Sequence, residues 1–268
     1  RWCLWLHGAN PSSLRSIPSI LKKIEAVRVW RKASNRLTTS KLADTPTSFA
    51  EIRQPQSRYI AIPTVSSERR NFVPIALLAP EIVASNQLYV VGNATLFNFG
   101  VLTSTMHNAW IRTTCGRLKS DLRYSAAIVY NNFPWPFDAN GSEPNPAAAK
   151  EQQAQAAIET AAQSVLDARA QFPDSTLADL YDPLTMPPAL LKAHQKLDAA
   201  VDKAYQLCGG KKSYASDAER VAFLFERYQQ LTSLLPAAKT LKAPKPAKTA
   251  KAAKPRGAVR EQAAKDAT

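Results

Sequence analysis

The chain has 268 residues, 45% of them hydrophobic. That suffices for one large domain or two small ones plus tails, yet no run approaches the ~20 consecutive apolar residues that a membrane span needs. The net charge of +14 is unevenly spread: residues 1–137 carry 17 Lys and Arg against 6 Asp and Glu, residues 138–235 carry 9 against 13, and residues 236–268 carry 9 against 2. A basic front, an acidic middle and a basic tail point to three units, of which the front suits a polyanion and the middle does not.

Cys3, Cys115 and Cys208 lie far apart without a C-x-x-C pair. This supports neither a zinc knuckle nor a disulfide framework and fits a reducing cytoplasm. His7, His107 and His194 are equally scattered, and lone histidines are more often packing or surface residues than metal ligands. RWCLWL at the start is too short for a signal peptide and has no cleavage pattern behind it. Arg1 in place of Met fits either a fragment of a longer protein or a trimmed N-terminus.

In chain order, residues 17–36 read as a helix. Ser12 or Ser16 is available as its cap, Pro18 suits its first turn, and Ile20, Leu21, Ile24, Val27 and Trp30 make an apolar stripe. The other face is basic, with Lys22, Lys23, Arg28, Arg31, Lys32 and Arg36, and serves either as a solvated surface or as a phosphate-facing one. From 58 to 99, RYIAIPTV, NFVPIALL, QLYVVG and ATLFNF are short β-branched and aromatic runs at strand spacing. Pro63 and Pro74 place edges or bulges there. Residues 100–116 read as a helix ended by Gly116, and SAAIVYNN at 125–132 returns to strand character.

After the turn-forming linker DANGSEPNP the pattern is helical. An Ala-rich helix covers 147–170, a short turn at TLADLYDP stops at Pro183, and a longer helix ends at Gly209 and Gly210. The last helix opens with Ser216 and Glu219 spaced as a capping box, and the final two helices are expected to pair as a hairpin. From Pro236 the chain is Lys, Ala and Pro in loose repeats, which predicts disorder and salt-sensitive affinity for nucleic acid. The expected fold class is α+β: a mixed α/β domain over 1–137, a small all-α domain over 138–235, and a disordered basic tail over 236–268.

The stretch YNNFPWPF at 130–137 approaches a catalytic motif. Amino-group DNA methyltransferases use Asn or Asp, then two Pro and an aromatic, to accept the amino hydrogens of a flipped base and stack on it. Here Asn132 is followed by Phe133, Pro134 and Trp135, so the aromatic precedes the first Pro and the two Pro are not adjacent. No strand ends in a Gly-rich turn that would cradle S-adenosylmethionine, and the chain has 8 Gly in all. Phosphate-loop, G-x-S-x-G and H-E-x-x-H signatures are missing. No catalytic residue is assigned, and the stretch reads as a rigid, aromatic exit from the first domain.

Recognition chemistry is better represented. In CGRLKSDLRYS, Arg117, Lys119 and Arg123, with Arg112 upstream, surround Asp121. If 117–124 is extended, Lys119 and Asp121 share a face. Lys donates to guanine O6 and N7 and Asp accepts from cytosine N4, so the two would read both partners of one base pair. An ordinary surface salt bridge is the competing reading. In VSSERRN, Ser66, Ser67, Arg69 and Arg70 are donors suited to phosphate oxygens, or else a solvated turn in which Glu68 pairs with an Arg.

With SRYIAIPTVSSERRNFVPIALL, NATLFNFGVLTSTMHNAWIRTTCGRLKSDLRYSAAIVYNNFPWP and LADLYDPLTMPPALLKAHQKLDAAVDKAY, the chain resembles the C-terminal part of the MmeI-like family over roughly residues 1–235. These are single-chain bacterial restriction–modification proteins ordered as nuclease, helical spacer, adenine-N6 methyltransferase, target recognition domain and helical C-terminal domain. The resemblance implies that 1–137 is the target recognition domain, incomplete at its N-terminus, and that YNNFPWP closes it while the true methyltransferase motif lies upstream. It implies base reading by Lys119 and Asp121, with Arg123 as a neighbouring reader and Thr64, Asn86 and Gln87 at other base-reading positions. Phosphate contacts are then expected from Lys22, Lys23, Ser66, Ser67, Arg69, Arg70 and Arg117. The implied partners are double-stranded DNA and a catalytic methyltransferase domain in cis or in trans, with no membrane involved. This chain itself is expected to bind no cofactor; S-adenosylmethionine, and Mg²⁺ where a nuclease is fused, would belong to the full-length protein. The rival reading is a nonenzymatic basic nucleic-acid-binding adaptor whose helices bind other proteins.

Overall fold

The structure, a computed structural model, describes residues 2–137 and 148–233. The basic tail expected to be disordered and the whole of the expected linker fall outside these residues. The N-terminal stretch carries α1 (Pro11–Arg15), α2 (Pro18–Lys32), α3 (Leu37–Lys41) and a 3₁₀ turn at Leu42–Asp44. Pro18 occupies the first turn of α2 as expected, but neither serine caps it; the N-cap is Ile17, without a side-chain bond. Arg31 leaves the expected basic face. Its guanidinium donates to the carbonyls of Leu42, Thr45 and Ser48, and so satisfies the turn that follows α3.

Two small antiparallel sheets follow. Strands β1 (Tyr59–Pro63), β2 (Val65–Ser66), β3 (Ala76–Leu78) and β4 (Leu88–Val91) arise from the expected apolar runs. The first sheet has the order β3-β1-β4, so β1 is central and its residues 59–62 are buried. Pro63 therefore marks no edge. It is the last residue of β1, paired with Leu88, and Thr64 beyond it carries the chain into the second sheet. Pro74 lies in the loop ahead of β3.

ATLFNF, expected as a strand, is instead the start of α4 (Leu96–Thr103). The overriding signal is a capping box: the Thr95 hydroxyl accepts from Asn98 N, and Asn98 Oδ1 accepts from Thr95 N. Ser104 is extended and divides α4 from α5 (Thr105–Thr114), where one helix was expected. Cys115 then leaves the helix in extended conformation, and Gly116 opens β5 (Gly116–Leu118) rather than capping α5. After β6 (Asp121–Arg123), the run expected as a strand at 125–132 winds into a π-helical turn, Ala126–Tyr130. The Trp110 indole N–H donates to Val129 O at 3.0 Å, which holds that turn against α5.

The helical part has α6 (Ala148–Ala170), α7 (Leu177–Leu180), α8 (Pro188–Gln206) and α9 (Asp217–Thr232). Leu190, Ala193, His194, Leu197, Val201 and Ala204 form the buried stripe of α8 as the spacing predicts. α8 pairs with α6, while α9 lies on α5 rather than forming a hairpin with α8. Trp110 meets Phe225 at 5.0 Å between ring centroids, and a bidentate Arg220–Asp202 pair links α9 back to α8. Half of the capping box forms: Glu219 N donates to Ser216 Oγ, whereas the Glu219 carboxylate accepts from Ala215 N.

Elements before and after residue 137 share one apolar core. Phe97, Leu102 and Trp110 belong to it with Ile158, Val165, Leu197 and Tyr205. The architecture is α+β, with helices and small antiparallel sheets followed by a helical C-terminal region.

Candidate nucleic-acid interface

The second sheet has the order β2-β6-β5. Its registers pair Val65 and Gly116 with Arg123, Ser66 and Arg117 with Leu122, and Leu118 with Asp121. Directly opposed residues project to the same side of a sheet, and successive residues alternate. One side therefore carries Leu122 and Ser66, both buried, with Arg117 exposed at its β5 edge, and the other carries Asp121, Arg123, Val65 and Leu118. The outward side is thereby fixed by the burial of the inward one.

This differs from the expected arrangement of Lys119. Residues 117–124 are not one strand: Lys119 and Ser120 form the two-residue loop of a hairpin, and Lys119 has a positive φ of 56°. Alternation thus pairs Asp121 with Arg123 on a face, while Lys119 stands at the tip. Among the described residues, the ammonium of Lys119, the carboxylate of Asp121 and the guanidinium of Arg123 make no hydrogen bond or ion pair, so the expected alternative of a surface salt bridge is not formed. Leu118, which the sequence did not single out, sits across from Asp121 and is 50% exposed.

Thr64 and Gln87 join this sheet directly. Thr64 N donates to Gln87 O at 2.9 Å, its hydroxyl donates to Gln87 Oε1 at 3.3 Å, and its carbonyl accepts from Tyr124 N at 2.9 Å. Segments 64, 86–87 and 121–124 are therefore adjacent, with Asn86 and Gln87 exposed. Tyr124 anchors the assembly from below. Its hydroxyl lies 3.3 Å from His107 Nε2, and His107 Nδ1 bonds the Leu102 carbonyl at 2.7 Å, which makes Nδ1 the donor and Nε2 the acceptor. Burial lowers the His107 pKa to about 4, so the imidazole is neutral, and burial raises that of Tyr124 far above the usual phenol range.

The residues expected at phosphates are placed unevenly. Arg69 is exposed, and Lys22 and Lys23 are exposed on α2. Among the described residues, no hydrogen bond or ion pair joins these two lysines to the sheet cluster. Ser67 Oγ accepts from Arg69 N at 3.4 Å. Ser66 is only 4% exposed because its strand position faces inward beside Leu122, and its hydroxyl is shut off from solvent. Arg70 turns toward α7, where Nη2 donates to Ala178 O at 3.5 Å. Arg117 donates to Ser120 O at 3.0 Å and Arg112 O at 3.4 Å and pairs with Glu68 at 3.5 Å, lacing the hairpin to the β2 loop. Arg112, in turn, binds Asp217 at the start of α9 and the Asn71 carbonyl.

The near-catalytic stretch does not fit a flipped base. Asn132 Nδ2 donates to the carbonyls of Ala127 and Ile128, its Oδ1 accepts from Tyr228, and the buried Tyr205 hydroxyl donates to Pro134 O. Both acceptors that such a motif would offer are committed to the fold. Among the described residues, no group of three His, Cys, Asp or Glu is placed to hold a metal ion, and no helix is long and apolar enough to cross a membrane.

Residues 1–137 match the MmeI target recognition domain, and residues 149–236 match the MmeI C-terminal domain. DNA methyltransferase A of Bacillus subtilis (strain 168) is 38% identical over 232 residues, which are 87% of this chain and 24% of that protein. A solved structure of the type IIL restriction–modification enzyme MmeI in complex with DNA is 45% identical, with a TM-score of 0.74 over 87% of this chain and 29% of that one. The chain thus spans less than a third of the length of either relative. It belongs to the MmeI family, of which it carries the target recognition domain and the C-terminal domain.

Proposed function

We propose that this chain recognises double-stranded DNA by sequence, in the cytoplasm, for an adenine-N6 methyltransferase of a restriction–modification system. The methyl transfer, with its S-adenosylmethionine, and any Mg²⁺-dependent cleavage belong to a catalytic part supplied in cis or in trans. In this division the recognition domain covers 1–137 and the helical domain 138–235.

The observation that carries this reading is the outward face of the second sheet. It holds Asp121 and Arg123 on a rigid, buried footing with Lys119 at the tip, and none of the three charges is neutralised among the described residues. A two-stranded ribbon fits the major groove, where Asp accepts from cytosine N4, Lys or Arg donates to guanine O6 and N7, and an amide reads adenine. Gln87 keeps its amide N–H groups free while Thr64 engages its oxygen, and Asn86 stands beside it. Lys22, Lys23, Ser67 and Arg69 supply phosphate contacts, which fix register without reading bases.

Duplex binding by the 268-residue chain, measured across ionic strength and by selection from a random-sequence pool, tests the proposal. Log affinity should fall linearly with log salt, with a slope of roughly −0.9 per phosphate neutralised. A single consensus should also emerge from the pool. Binding that shows the salt slope but selects no sequence would reduce the chain to a general polyanion binder.

A further inference from the structure

Leu118 is an apolar side chain on a polar face. It sits at the end of β5, directly opposite Asp121 and next to Lys119, and half of its surface is open. Isolated exposed leucines are common and need no explanation. What distinguishes this one is its neighbours, since it shares the outward side of the sheet with Asp121 and Arg123, and it is the more exposed of the two apolar side chains there, Val65 being half-buried beside Arg123. Gly116, two residues earlier, faces Arg123 without a side chain. A Cβ there would meet nothing closer than Arg123 O at 3.8 Å, so the ribbon is open on that side of Leu118.

We infer that Leu118 reads the C5 methyl group of a thymine in the base pair adjoining the one that Asp121 reads. The inference rests on the DNA-recognition reading above. Opposed side chains on an antiparallel pair stand ~5 Å apart at Cβ, more than the ~3.4 Å advance between successive bases on one strand and less than two such steps. A carboxylate engaged with one base edge therefore brings Leu118 onto the next. The thymine methyl is the apolar feature of the major groove, and contact with an apolar side chain distinguishes thymine from the other bases. Neither Asp121 nor Lys119 can supply that contact.

The test uses the 268-residue chain and the duplex it selects from a random pool, with each thymine replaced in turn by deoxyuridine, which deletes only the methyl group. Replacement at one position, next to the base pair whose identity depends on Asp121, should weaken binding about fourfold, corresponding to about 0.8 kcal/mol for one buried methyl. Leu118→Ala should bind the thymine and deoxyuridine duplexes equally, and Leu118→Met, which keeps an apolar chain of similar volume, should retain the preference. The inference is overturned if the selected site contains no thymine, if no deoxyuridine substitution alters affinity, or if Leu118→Ala keeps the full discrimination. A chain that selects no sequence at all overturns the DNA-recognition reading as well, whereas selection without a methyl effect removes only Leu118.

Discussion

Lys119 combines a charged side chain with a backbone at φ 56°, a region that L-residues other than Asn and Asp seldom occupy and Gly occupies freely. The strain is ~1–2 kcal/mol, held because the hairpin loop between Leu118 and Asp121 has only two residues. Lys119→Gly should therefore leave the melting temperature unchanged or raise it, since relief of strain offsets the ~0.5–1 kcal/mol entropic cost of glycine. The same change should erase one base preference. Lys119→Ala should lose that preference with no gain in stability, and thermal unfolding beside pool selection separates the two effects. Residue types at this site were legible in the sequence, but their geometry was not. KS carries none of the Asn or Gly that normally announces a two-residue hairpin, so period-two alternation passes unbroken through the turn in the sequence and sets Lys119 beside Asp121 instead of at the tip. Ser66 shows the converse: its donor chemistry reads as phosphate-binding, yet the register against Leu122 turns it inward.

Among elements, those with sustained periodicity were legible: α2, α6, α8 and the strands β1 and β4. The failures were short aromatic or β-branched runs whose local caps or tertiary partners overrode their propensity. LFNF is helical because Thr95 and Asn98 cap it, and AIVY coils because Trp110 takes its carbonyl. α4 also packs directly on α6 and α8, with Gly100 at the contact. A Cβ on Gly100 would lie 2.7 Å from Ile158 Cγ2, 3.2 Å from Ala162 Cβ and 3.3 Å from Leu197 Cδ1. Gly100→Ala should cost about 1–3 kcal/mol by overpacking, despite alanine's better helix propensity. Chemical denaturation reads this directly, and a stabilised variant would mean that α6 and α8 shift freely away from α4.

Across the whole molecule, buried polar groups tie the helical region to the sheets. Arg169 of α6 donates to Ile75 O at 2.9 Å and to the Tyr181 hydroxyl, which in turn donates to His194 Nε2 at 2.6 Å. Burial, and then the charge of Arg169, lower the His194 pKa to about 3, beside the value of about 4 for His107. Both folded values lie below the ordinary 6.5, so between them the unfolded chain binds more protons and stability falls as pH falls. The loss begins near pH 6.5 and continues to about pH 4 for His107 and about pH 3 for His194. By pH 5 it reaches about 2 kcal/mol per histidine. Asp198, whose pKa is raised chiefly by burial, acts in the opposite sense. Denaturant midpoints should therefore drop markedly between pH 7 and pH 5, and a flat profile would place both imidazoles in contact with water. None of this network was legible in the sequence, because Arg169, Tyr181 and His194 meet only through the packing of α6, α7 and α8.

The most direct measurement exchanges the two charges at the hairpin tip, Lys119→Asp together with Asp121→Lys, and compares the duplex selected by the variant with that selected by the parent chain. Each good base contact is worth ~1–3 kcal/mol of discrimination. The predicted result is a consensus of the same length in which one base pair is changed and the others are kept, with the salt dependence of binding unaltered. An unchanged consensus would contradict the account, since Lys119 and Asp121 would then stand beside the DNA without reading it.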